Sequence, residues 1–427
     1  MKLYCAPLDR IKSGAAGTDL PVVLYSHADQ PGAVSIGATA LYRLTRSGFT
    51  VAPRAWDLLS IALSVIAADT AIHRGESPDG WTRDIDLRIA VGDPGFWSSQ
   101  KPLLESQLRF LTTDMWTLDF VDGGILPSPP SKRKQVTPVQ DSVCLFSGGL
   151  DSLIGASDLA TAGRDPYLVS QVSRGDTQKQ AYFAGRIGSG LKRLELNHNV
   201  VCPWQNERSQ RARSIIFLAY GVLLATALGR YQEGKPVTLY VCENGFISIN
   251  PALTAARVGS LSTRTTHPVF MAQFQSMLTA AGLNVHIENP YQFKTKGEML
   301  KEAADQPFLK KHAAQSTSCG RFAHFSYRHC GRCVPCLIRR AAFHAWGRAD
   351  GTDYVYDDLS RDDLDHARFD DVRSAAVAVA EAKADGFDRW IRPRLTASSL
   401  GDATRYREVV RRGLAEVGNF LSASGVK

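Results

Sequence analysis

The feature that most constrains this chain is a short apolar run, residues 143–146, that leads directly into SGGLDS at 147–152 and then into a helical pattern. A strand, a glycine turn and a helix in this order form an anion-binding site, because Gly148 and Gly149 lack a Cβ and the helix N-terminus points at the same place. Asp151 repels phosphate unless a cation lies between them. The pattern therefore predicts a Mg²⁺–nucleotide site, with a plain β–α turn as the alternative. The predicted ATP-binding residues are Ser147, Gly148, Gly149, Leu150, Asp151 and Ser152.

A second constellation is a cluster of cysteines. Four of the eight cysteines of the chain lie in one short stretch: Cys319 and, in two successive CxxC spacings, Cys330, Cys333 and Cys336. Four thiolates at these spacings form a closed tetrahedral site, which predicts a structural zinc ion with no ligand position left for water. An iron–sulfur cluster and buried free cysteines stay open as alternatives.

These two motifs together resemble a known family. The loop at 147–152 resembles the signature of the PP-loop ATP pyrophosphatases, and no GxxxxGK[ST] motif occurs around it. With the segment 330–340, CGRCVPCLIRR, it resembles the QueC family of 7-cyano-7-deazaguanine synthases. Two further stretches are similar to parts of that family: RARSIIFL at 211–218, with serine where asparagine is usual, and TKGE at 295–298. The resemblance covers about residues 140–346.

The resemblance implies an adenine nucleotide alpha-hydrolase-like fold and an enzyme that splits ATP into AMP and pyrophosphate. QueC enzymes use ATP to convert 7-carboxy-7-deazaguanine and ammonia first to an amide and then to a nitrile. The catalytic candidates are Asp151, Arg213 and Lys296. Arg213 is placed to stabilise charge that develops on the phosphates, and Lys296 to contact a phosphate or the substrate carboxylate. For both cations, an exposed position at a helix start is the alternative.

Two stretches depart from the family pattern. A D-Y-G-Q-like stretch is usual after the second strand, where residues 173–178 here read SRGDTQ. A short D-x-S-x-Y-P-D-C segment is usual after a later strand, where a longer stretch, 243–268, replaces it. With an additional N-terminal domain, this combination resembles the QueC-like proteins of bacterial anti-phage systems. The resemblance implies that the incoming nitrogen belongs either to ammonia or to a protein amine, which would attach a deazaguanine to a partner.

Four residues of the altered stretch are the candidates for binding the substrate. Glu243 and Asn244 follow a strand end, and their carboxylate and amide groups suit the donors and acceptors of a purine-like edge. Arg264 and His267 are candidates for binding its carboxylate. Because Pro268 suits the first position of a helix, a capping or packing role for His267 is the alternative.

The composition is that of a basic globular protein, with 427 residues, a formal net charge of +8 and a pI near 9.0. A basic surface fits anionic ligands such as ATP, pyrophosphate or RNA, so direct nucleic-acid binding stays open. No secretory signal is visible, and the most apolar stretch, 215–228, is too short for a membrane span. With a thiolate metal site, these features indicate a cytoplasmic protein. Its expected partners are a 7-deazaguanine and, in a defence system, a protein substrate or other subunits.

Apolar patterns predict how the chain is organised. In the central part, strand and helix patterns alternate strictly, which predicts a doubly wound parallel sheet with ligands beyond the carboxyl ends of its strands. Nearer the N-terminus, 54–70 reads as a helix and 84–91 as a half-buried strand. A set of polar and aromatic residues is interpreted as a solvated rim, with a pocket as the alternative: Asp69, Arg74, Trp81, Arg83 and Asp93. The predicted segments are an α+β accessory domain at 1–124, a Pro/Lys/Arg-rich linker at 125–140, the PP-loop domain at 141–349 with its zinc segment at 319–336, and a helical C-terminal extension at 350–427. In that extension, the patterns at 372–384 and 404–422 predict helices that form a cap or an interaction tail.

Two other functions stay open at this point. A PP-loop tRNA-modifying enzyme, such as a thiolase, would need redox-active cysteines or an iron–sulfur cluster. A non-catalytic nucleotide-sensing subunit of a defence complex would keep the loop for binding alone.

Overall fold

The computed structural model consists of two five-stranded sheets and the helices that cover them, and all strand pairs in both sheets are parallel. Parts of the predicted linker, of the stretches 173–178 and 243–268, and of the C-terminal extension lie outside the described residues. The described residues are 1–13, 17, 19–29, 31–126, 130–131, 133–172, 175–253, 264–360, 371–392, 395 and 401–426.

The first sheet has the strand order β3-β2-β1-β4-β5. Its strands are β1 (Lys2–Pro7), β2 (Leu20–Leu24), β3 (Val34–Ile36), β4 (Asp84–Val91) and β5 (Met115–Asp122). The helices among them are α1 (Leu8–Lys12), α2 (Ala38–Ser47), α3 (Pro53–Ala71), α4 (Pro94–Ser99) and α5 (Lys101–Thr112), with a one-turn 3₁₀ helix at Arg74–Glu76.

The expectation that this N-terminal unit is α+β is wrong, because its sheet is parallel throughout and the unit is α/β. The alternation in β4 and β5 is real: in β5, exposed and buried side chains take turns from Met115 to Phe120. A parallel strand with one open face alternates in the same way as an antiparallel one, so the pattern reports burial and not strand direction.

The predicted helix at 54–70 is confirmed as α3. Nearly all of its side chains are buried, whereas the sequence pattern indicated one buried face. The reason is that α3 packs on the first sheet with one side and on a helix of the second unit, α8 (Arg213–Ala227), with the other. A helix that is buried all round is apolar all round.

The second sheet is the predicted doubly wound one. Its order is β10-β9-β6-β7-β8. If the strands of each sheet are numbered 1 to 5 along the chain, both sheets have the order 3-2-1-4-5, the second one read from its β8 edge. The chain reverses between β6 and β9, and ligands of such sheets bind at that point, beyond the carboxyl ends of the strands. The strands are β6 (Ser142–Leu145), β7 (Pro166–Gln171), β8 (Arg193–Leu196), β9 (Val237–Tyr240) and β10 (Val285–Glu288).

Further helices accompany α8 after β6 in the described part of the chain. They are α6 (Leu150–Thr161), α7 (Thr177–Ala184), α9 (Gly229–Gln232), α10 (Gly245–Ile249), α11 (Pro268–Ala280), α12 (Lys296–Glu302), α13 (Gln306–His312), α14 (Val334–Trp346), α15 (Asp371–Ala384), α16 (Phe387–Ile391) and α17 (Ala403–Ala423), with a 3₁₀ turn at Ala313–Gln315. In the part of the chain that the structure describes, no helix has both the length and the apolar character of a membrane span.

A buried charge network joins the two units. It contains charged residues that the sequence indicated as part of a solvated rim. Asp69, at the end of α3, accepts hydrogen bonds from the backbone N–H groups of Arg211 (2.7 Å) and Ala212 (2.8 Å), at the start of α8. Its other oxygen lies 2.6 Å from Arg83, which also contacts Asp114 at 2.6 Å. Because these carboxylates and guanidinium groups satisfy one another away from water, the network fixes the N-terminus of α8 against the first unit.

The predicted C-terminal helices at 372–384 and 404–422 are confirmed as α15 and α17. The sequence left open whether they form a cap or an interaction tail. In the structure, α17 buries Val409, Val410, Leu414 and Val417 in a core that it shares with α10, α14 and α15. The extension is therefore packed onto the second unit.

Candidate active site

The glycine loop follows β6 and turns into α6. Gly148 has φ +80°, the left-handed conformation that favours glycine, and a Cβ there would lie 3.0 Å from the Gln180 side chain. The hydroxyl of Ser152 donates to the Gly149 carbonyl (3.0 Å), and Gly149 N–H donates to Ser147 Oγ (3.2 Å). Ser147 itself is exposed. The predicted loop residues thus form a compact turn whose entrance faces solvent.

Two other segments hold this loop in place. Gln180 of α7 donates from Nε2 to the carbonyl of Ser147 (3.0 Å), and the backbone N–H of Thr317 donates to the carbonyl of Gly148 (3.2 Å). Both bonds occupy carbonyl oxygens that would repel an anion. Thr317 precedes the first cysteine of the cluster by two residues, so its hydrogen bond to the loop joins the loop to the chain segment that carries the cluster.

Asp151 lies below the loop in a buried polar cluster. Lys296 Nζ is 3.0 Å from its Oδ1, and Asn244 donates from Nδ2 to its Oδ2 at 2.7 Å. The same amide of Asn244 lies 3.3 Å from Glu243 Oε1. These four residues come from the start of α6, the end of β9 and the start of α12. The structure therefore brings together four of the predicted site residues from three distant parts of the chain.

Local sequence explains why these side chains point inward. Asn244 caps α10, because its Oδ1 accepts from the N–H of Ile247 (3.0 Å). Lys296 is the first residue of α12, which begins with a capping box between Thr295 and Glu298. Caps fix the entry angle of each helix, and that angle sets the direction of the side chain at its start.

The pKa values of the two carboxyl groups of the cluster are shifted in opposite directions. Burial alone would raise the pKa of Asp151, but the Lys296 ammonium and hydrogen bonds from Glu243 and Asn244 outweigh it and lower that pKa. Burial, and then the negative charge of Asp151, raises the pKa of Glu243 well above its usual range. Asp151 is therefore the carboxyl group that favours its ionised form, which suits a cation, and Glu243 is the one that favours its protonated form.

The C-terminal helix α17 supports both caps from outside. Glu416 accepts hydrogen bonds from the Thr295 hydroxyl and, at 3.3 Å, from the N–H of Gly297. A Cβ on Gly297 would collide with the Glu416 carboxylate, so only glycine allows this approach. At α10, Gly413 lies against the Phe246 ring, where a Cβ would come within 2.5 Å. The elements that carry Lys296 and Asn244 are thus both packed on α17.

Three predicted site residues lie elsewhere. Arg213 is exposed at the first position of α8, and within the described residues it makes no hydrogen bond or ion pair to the Asp151 cluster. Arg264 donates to the carbonyl of Phe110 (3.1 Å) and stacks on its ring. His267 caps α11, since its Nδ1 accepts from Val269 N–H (3.3 Å), and it also contacts the Phe110 ring. Burial, with the Arg264 charge, lowers the pKa of His267 to about 4, so it is a neutral acceptor there.

The four cysteines come together as one cluster. Their sulfur atoms all lie within 4.8 Å of one another, with Cys319 and Cys333 3.9 Å apart and Cys330 and Cys336 3.8 Å apart. A tetrahedron of thiolates around a zinc ion, with Zn–S near 2.3 Å, has S···S edges of about 3.8 Å. Backbone N–H groups point at the sulfurs, among them those of Arg321 (3.3 Å) and Cys333 (3.3 Å). The donor set and spacing therefore fit one tetrahedral metal ion.

Sequence reasoning missed Gln180, Thr317 and Glu416. Gln180 belongs to the start of the helix that follows β7, which is a place where ligand-binding loops are expected, so its position was a usable signal. Thr317 offered a weaker one, its closeness to Cys319. Glu416 offered none, because it meets Thr295 across 121 positions of sequence.

Fold and site together define the class of protein. A doubly wound sheet carries an SGGxDS loop at its reversal point, a buried cluster of Asp151, Lys296 and Asn244 lies below that loop, and a four-cysteine cluster lies beside it. These features are those of a PP-loop, ATP-dependent enzyme. A model of the family "Queuosine biosynthesis protein QueC" matches residues 265–347.

Known relatives place the chain more narrowly. It is 35% identical over 240 residues to the 7-cyano-7-deazaguanine synthase of Paracoccus denitrificans, covering 52% of this chain and 95% of that protein. It is 34% identical over 229 residues to that of Rhizobium rhizogenes, covering 50% and 91%. The synthase of Methanothrix thermoacetophila is 25% identical over 240 residues, covering 50% and 99%. The chain belongs to the 7-cyano-7-deazaguanine synthase (QueC) family, and about half of it extends beyond the part that these relatives match.

Proposed function

We propose that this protein is an ATP-dependent carbon–nitrogen ligase that activates the carboxylate of 7-carboxy-7-deazaguanine. A carboxylate oxygen attacks the α-phosphorus of ATP, and pyrophosphate leaves. A nitrogen nucleophile then attacks the acyl carbon, loses its proton and expels AMP, which keeps the transferred oxygen. The observation that carries the proposal is Asp151, held by Lys296 and Asn244 directly below a phosphate loop in a chain of this family.

The loop residues bind the phosphates in this proposal. N–H and hydroxyl groups at 147–152 face the negative charge, and Lys296 offsets charge that builds on the phosphates as the bond to pyrophosphate breaks. Mg²⁺, when bound, would neutralise further phosphate charge, and the carboxylate of Asp151 is the group that would hold it. Arg213 keeps its proposed role as a cation for pyrophosphate at the same edge of the sheet.

The substrate ring is proposed to meet Glu243 and Asn244, whose carboxyl and amide groups match a guanine-like edge. Arg264 and His267 remain candidates for its carboxylate. In the structure both are engaged with Phe110, so a role in binding requires that Arg264 turn away from the carbonyl it now contacts.

The four-cysteine cluster is proposed to hold a structural zinc ion. In a four-iron cluster each cysteine binds a different iron, so the sulfurs lie farther apart than the spacing here. With four protein ligands, no position is open for water or substrate. This also weakens the alternative of a sulfur-transferring tRNA-modifying enzyme.

The setting we propose is a cytoplasmic anti-phage defence system, with this chain as a QueC-like protein of the QatC type. The resemblance rests on the altered stretch 243–268 and the added N-terminal unit. In that setting the acceptor nitrogen is a protein amine, and the product is a deazaguanine–protein conjugate.

Mass spectrometry of reactions with Mg-ATP and 7-carboxy-7-deazaguanine tests this function. Ammonia is offered first, then candidate partner proteins. AMP with an amide or nitrile identifies a synthase of the QueC type, and AMP with a deazaguanine-sized mass on a protein identifies a conjugating enzyme. ATP binding without AMP under all conditions would contradict the proposal and favour a nucleotide-sensing subunit.

A further inference from the structure

A cavity of about 480 Å³ lies beside the glycine loop, between α7 and the segment that carries the cysteines. This size is within the range of small-molecule sites. Its lining includes Tyr182 and Phe183 on α7 and Phe322 and Tyr327 on the cysteine segment, together with polar and charged side chains. The cavity is not part of the Asp151 cluster, and no substrate residue was predicted in it.

The cavity is connected to the phosphate loop through two hydrogen bonds. Lys179, which lines it, donates to Thr317 Oγ1 (3.1 Å), and Thr317 N–H donates to the Gly148 carbonyl. A Cβ on Gly149 would lie 3.0 Å from the Thr317 carbonyl, so the two backbones are in contact. Through Lys179 and Thr317, the cavity is therefore connected to the loop that would hold the phosphates.

Lys179 is a half-buried cation that lacks a carboxylate partner among the described residues. Its ammonium donates to Thr317 and lies 4.6 Å from the centre of the Phe322 ring. Burial lowers its pKa, Asp176 acting at longer range opposes this, and Arg339 adds to the lowering. The other cation of the cavity, Arg328, has a partner in Asp353, with contacts of 2.9 and 2.8 Å. Lys179 is thus the group that an anionic ligand would satisfy.

The wall opposite α7 is held in a strained conformation. Ser326 and Tyr327 have φ of +51° and +63°, values that non-glycine residues rarely adopt. Tyr327 packs against Gly175, where a Cβ would collide with its ring. Gly175 follows β7, so the strained turn presses the aromatic wall against the carboxyl edge of the sheet. Strain of this kind persists where the surroundings fix it, and it is concentrated at ligand sites.

We propose that this cavity binds the heterocyclic acid that the enzyme activates, with the planar ring between the aromatic walls and the carboxylate toward Lys179. The inference rests on the proposed function. It assigns the ring to this cavity in place of Glu243 and Asn244, and the substrate carboxylate to Lys179 in place of Arg264 and His267. Stacking accepts a flat nitrogen heterocycle, and the ammonium selects an acid over the neutral ring. The carboxylate then lies on the side of the cavity nearest to the phosphates.

Calorimetric binding to the full-length protein tests the assignment, with 7-carboxy-7-deazaguanine and with 7-deazaguanine that lacks the carboxylate. Lys179→Gln removes the charge and keeps a donor for Thr317. We expect it to weaken binding of the acid roughly 10- to 100-fold and to leave the neutral ring unaffected. Phe322→Ala should weaken both ligands. The control Lys192→Ala, on an exposed lysine, should change neither.

Three results would overturn the assignment. The first is an unchanged affinity of Lys179→Gln for the acid. The second is a Lys179→Gln protein that loses affinity for ATP alone, which would assign the cavity to the adenine ring. The third is a loss of acid binding in Arg264→Ala while Lys179→Gln binds the acid normally. The test also separates this inference from the proposed function. If AMP forms in the presence of the acid and Lys179→Gln does not change its rate, the cavity assignment is wrong and the proposed ligase activity stands. If acid binding depends on Lys179 but no AMP forms, the proposed activity is wrong and the cavity assignment stands.

Discussion

At the scale of the residue, the proposed ATP-dependent activity depends on Asp151. Its carboxylate is buried, ionised and held by one cation and one amide. A buried ion pair of this kind contributes little net stability when both partners are compared with apolar ones, yet it fixes where each charge lies. In the proposed function, this fixed charge holds Mg²⁺ at the loop that binds the ATP phosphates.

Asp151→Asn should abolish AMP formation and lower the free energy of unfolding by about 3 kcal/mol, because Lys296 is left buried and unpaired. The measurements are AMP release by chromatography and chemical denaturation. The double variant Asp151→Asn/Lys296→Met removes both charges, so it should recover most of the stability and none of the activity. Retained turnover in Asp151→Asn would refute the assignment of this residue.

Cys333→Ser should lose the bound metal, measured by elemental analysis, and should also bind ATP more weakly. The second effect is expected because Thr317, two residues before Cys319, holds the Gly148 carbonyl. Cys202→Ser is the matched control, since Cys202 lies outside the cluster. A soluble, metal-free and fully active Cys333→Ser protein would contradict a structural metal site.

At the scale of the element, α17 packs against the N-terminal ends of α10 and α12, which carry site residues. Burial raises the pKa of Glu416 to about 7, from an ordinary value near 4.5. The folded state then binds more protons than the unfolded state between these two values, so stability falls as pH rises through this window, by up to about 3 kcal/mol for this group.

Glu416→Gln should remove that part of the pH dependence. Thermal unfolding of the wild type and the variant between pH 4 and pH 8 measures it: the difference between the two proteins should change across the window and be constant outside it. A matched substitution is Glu408→Gln, on a half-exposed acid of the same helix that pairs with Arg411. Parallel curves for wild type and Glu416→Gln would show that this carboxyl group does not titrate as expected.

The elements also show what local sequence could predict. The strand–loop–helix at 143–152 is complete within a few residues and was correctly located. The capping box at the start of α12 is equally local, but only a helix start, and no cap, was predicted at Lys296. The direction of β4 could not be predicted, since alternation reports burial alone. The surroundings of Arg264 and His267 depend on Phe110, more than 150 positions away, and no local pattern carries that information.

At the scale of the whole molecule, two sheets of the same pattern of strand order share one apolar core through α3 and α8. The charge network around Asp69 closes the same contact. Because neither unit buries its apolar surface alone, the two should unfold together. We therefore expect a single calorimetric transition for both sheets, and two separated transitions would contradict a shared core.

Asp69→Ala tests the contact directly. It removes the acceptor for the two backbone N–H groups that lead into α8 and one partner of the buried Arg83, so the free energy of unfolding should fall by about 3 kcal/mol in chemical denaturation. Asp119→Ala, which removes an exposed ion pair with Arg88 on the same sheet, is the control and should leave stability nearly unchanged. Equal effects of the two substitutions would mean that the network does not join the units.

The central claim is that a carboxylate oxygen attacks the α-phosphorus. It is tested most directly with 7-carboxy-7-deazaguanine labelled with ¹⁸O in its carboxylate, followed by mass spectrometry of the AMP formed in the presence of the nitrogen acceptor. Attack by the carboxylate predicts AMP that carries one ¹⁸O atom. Unlabelled AMP, or ADP and phosphate in its place, would contradict the account.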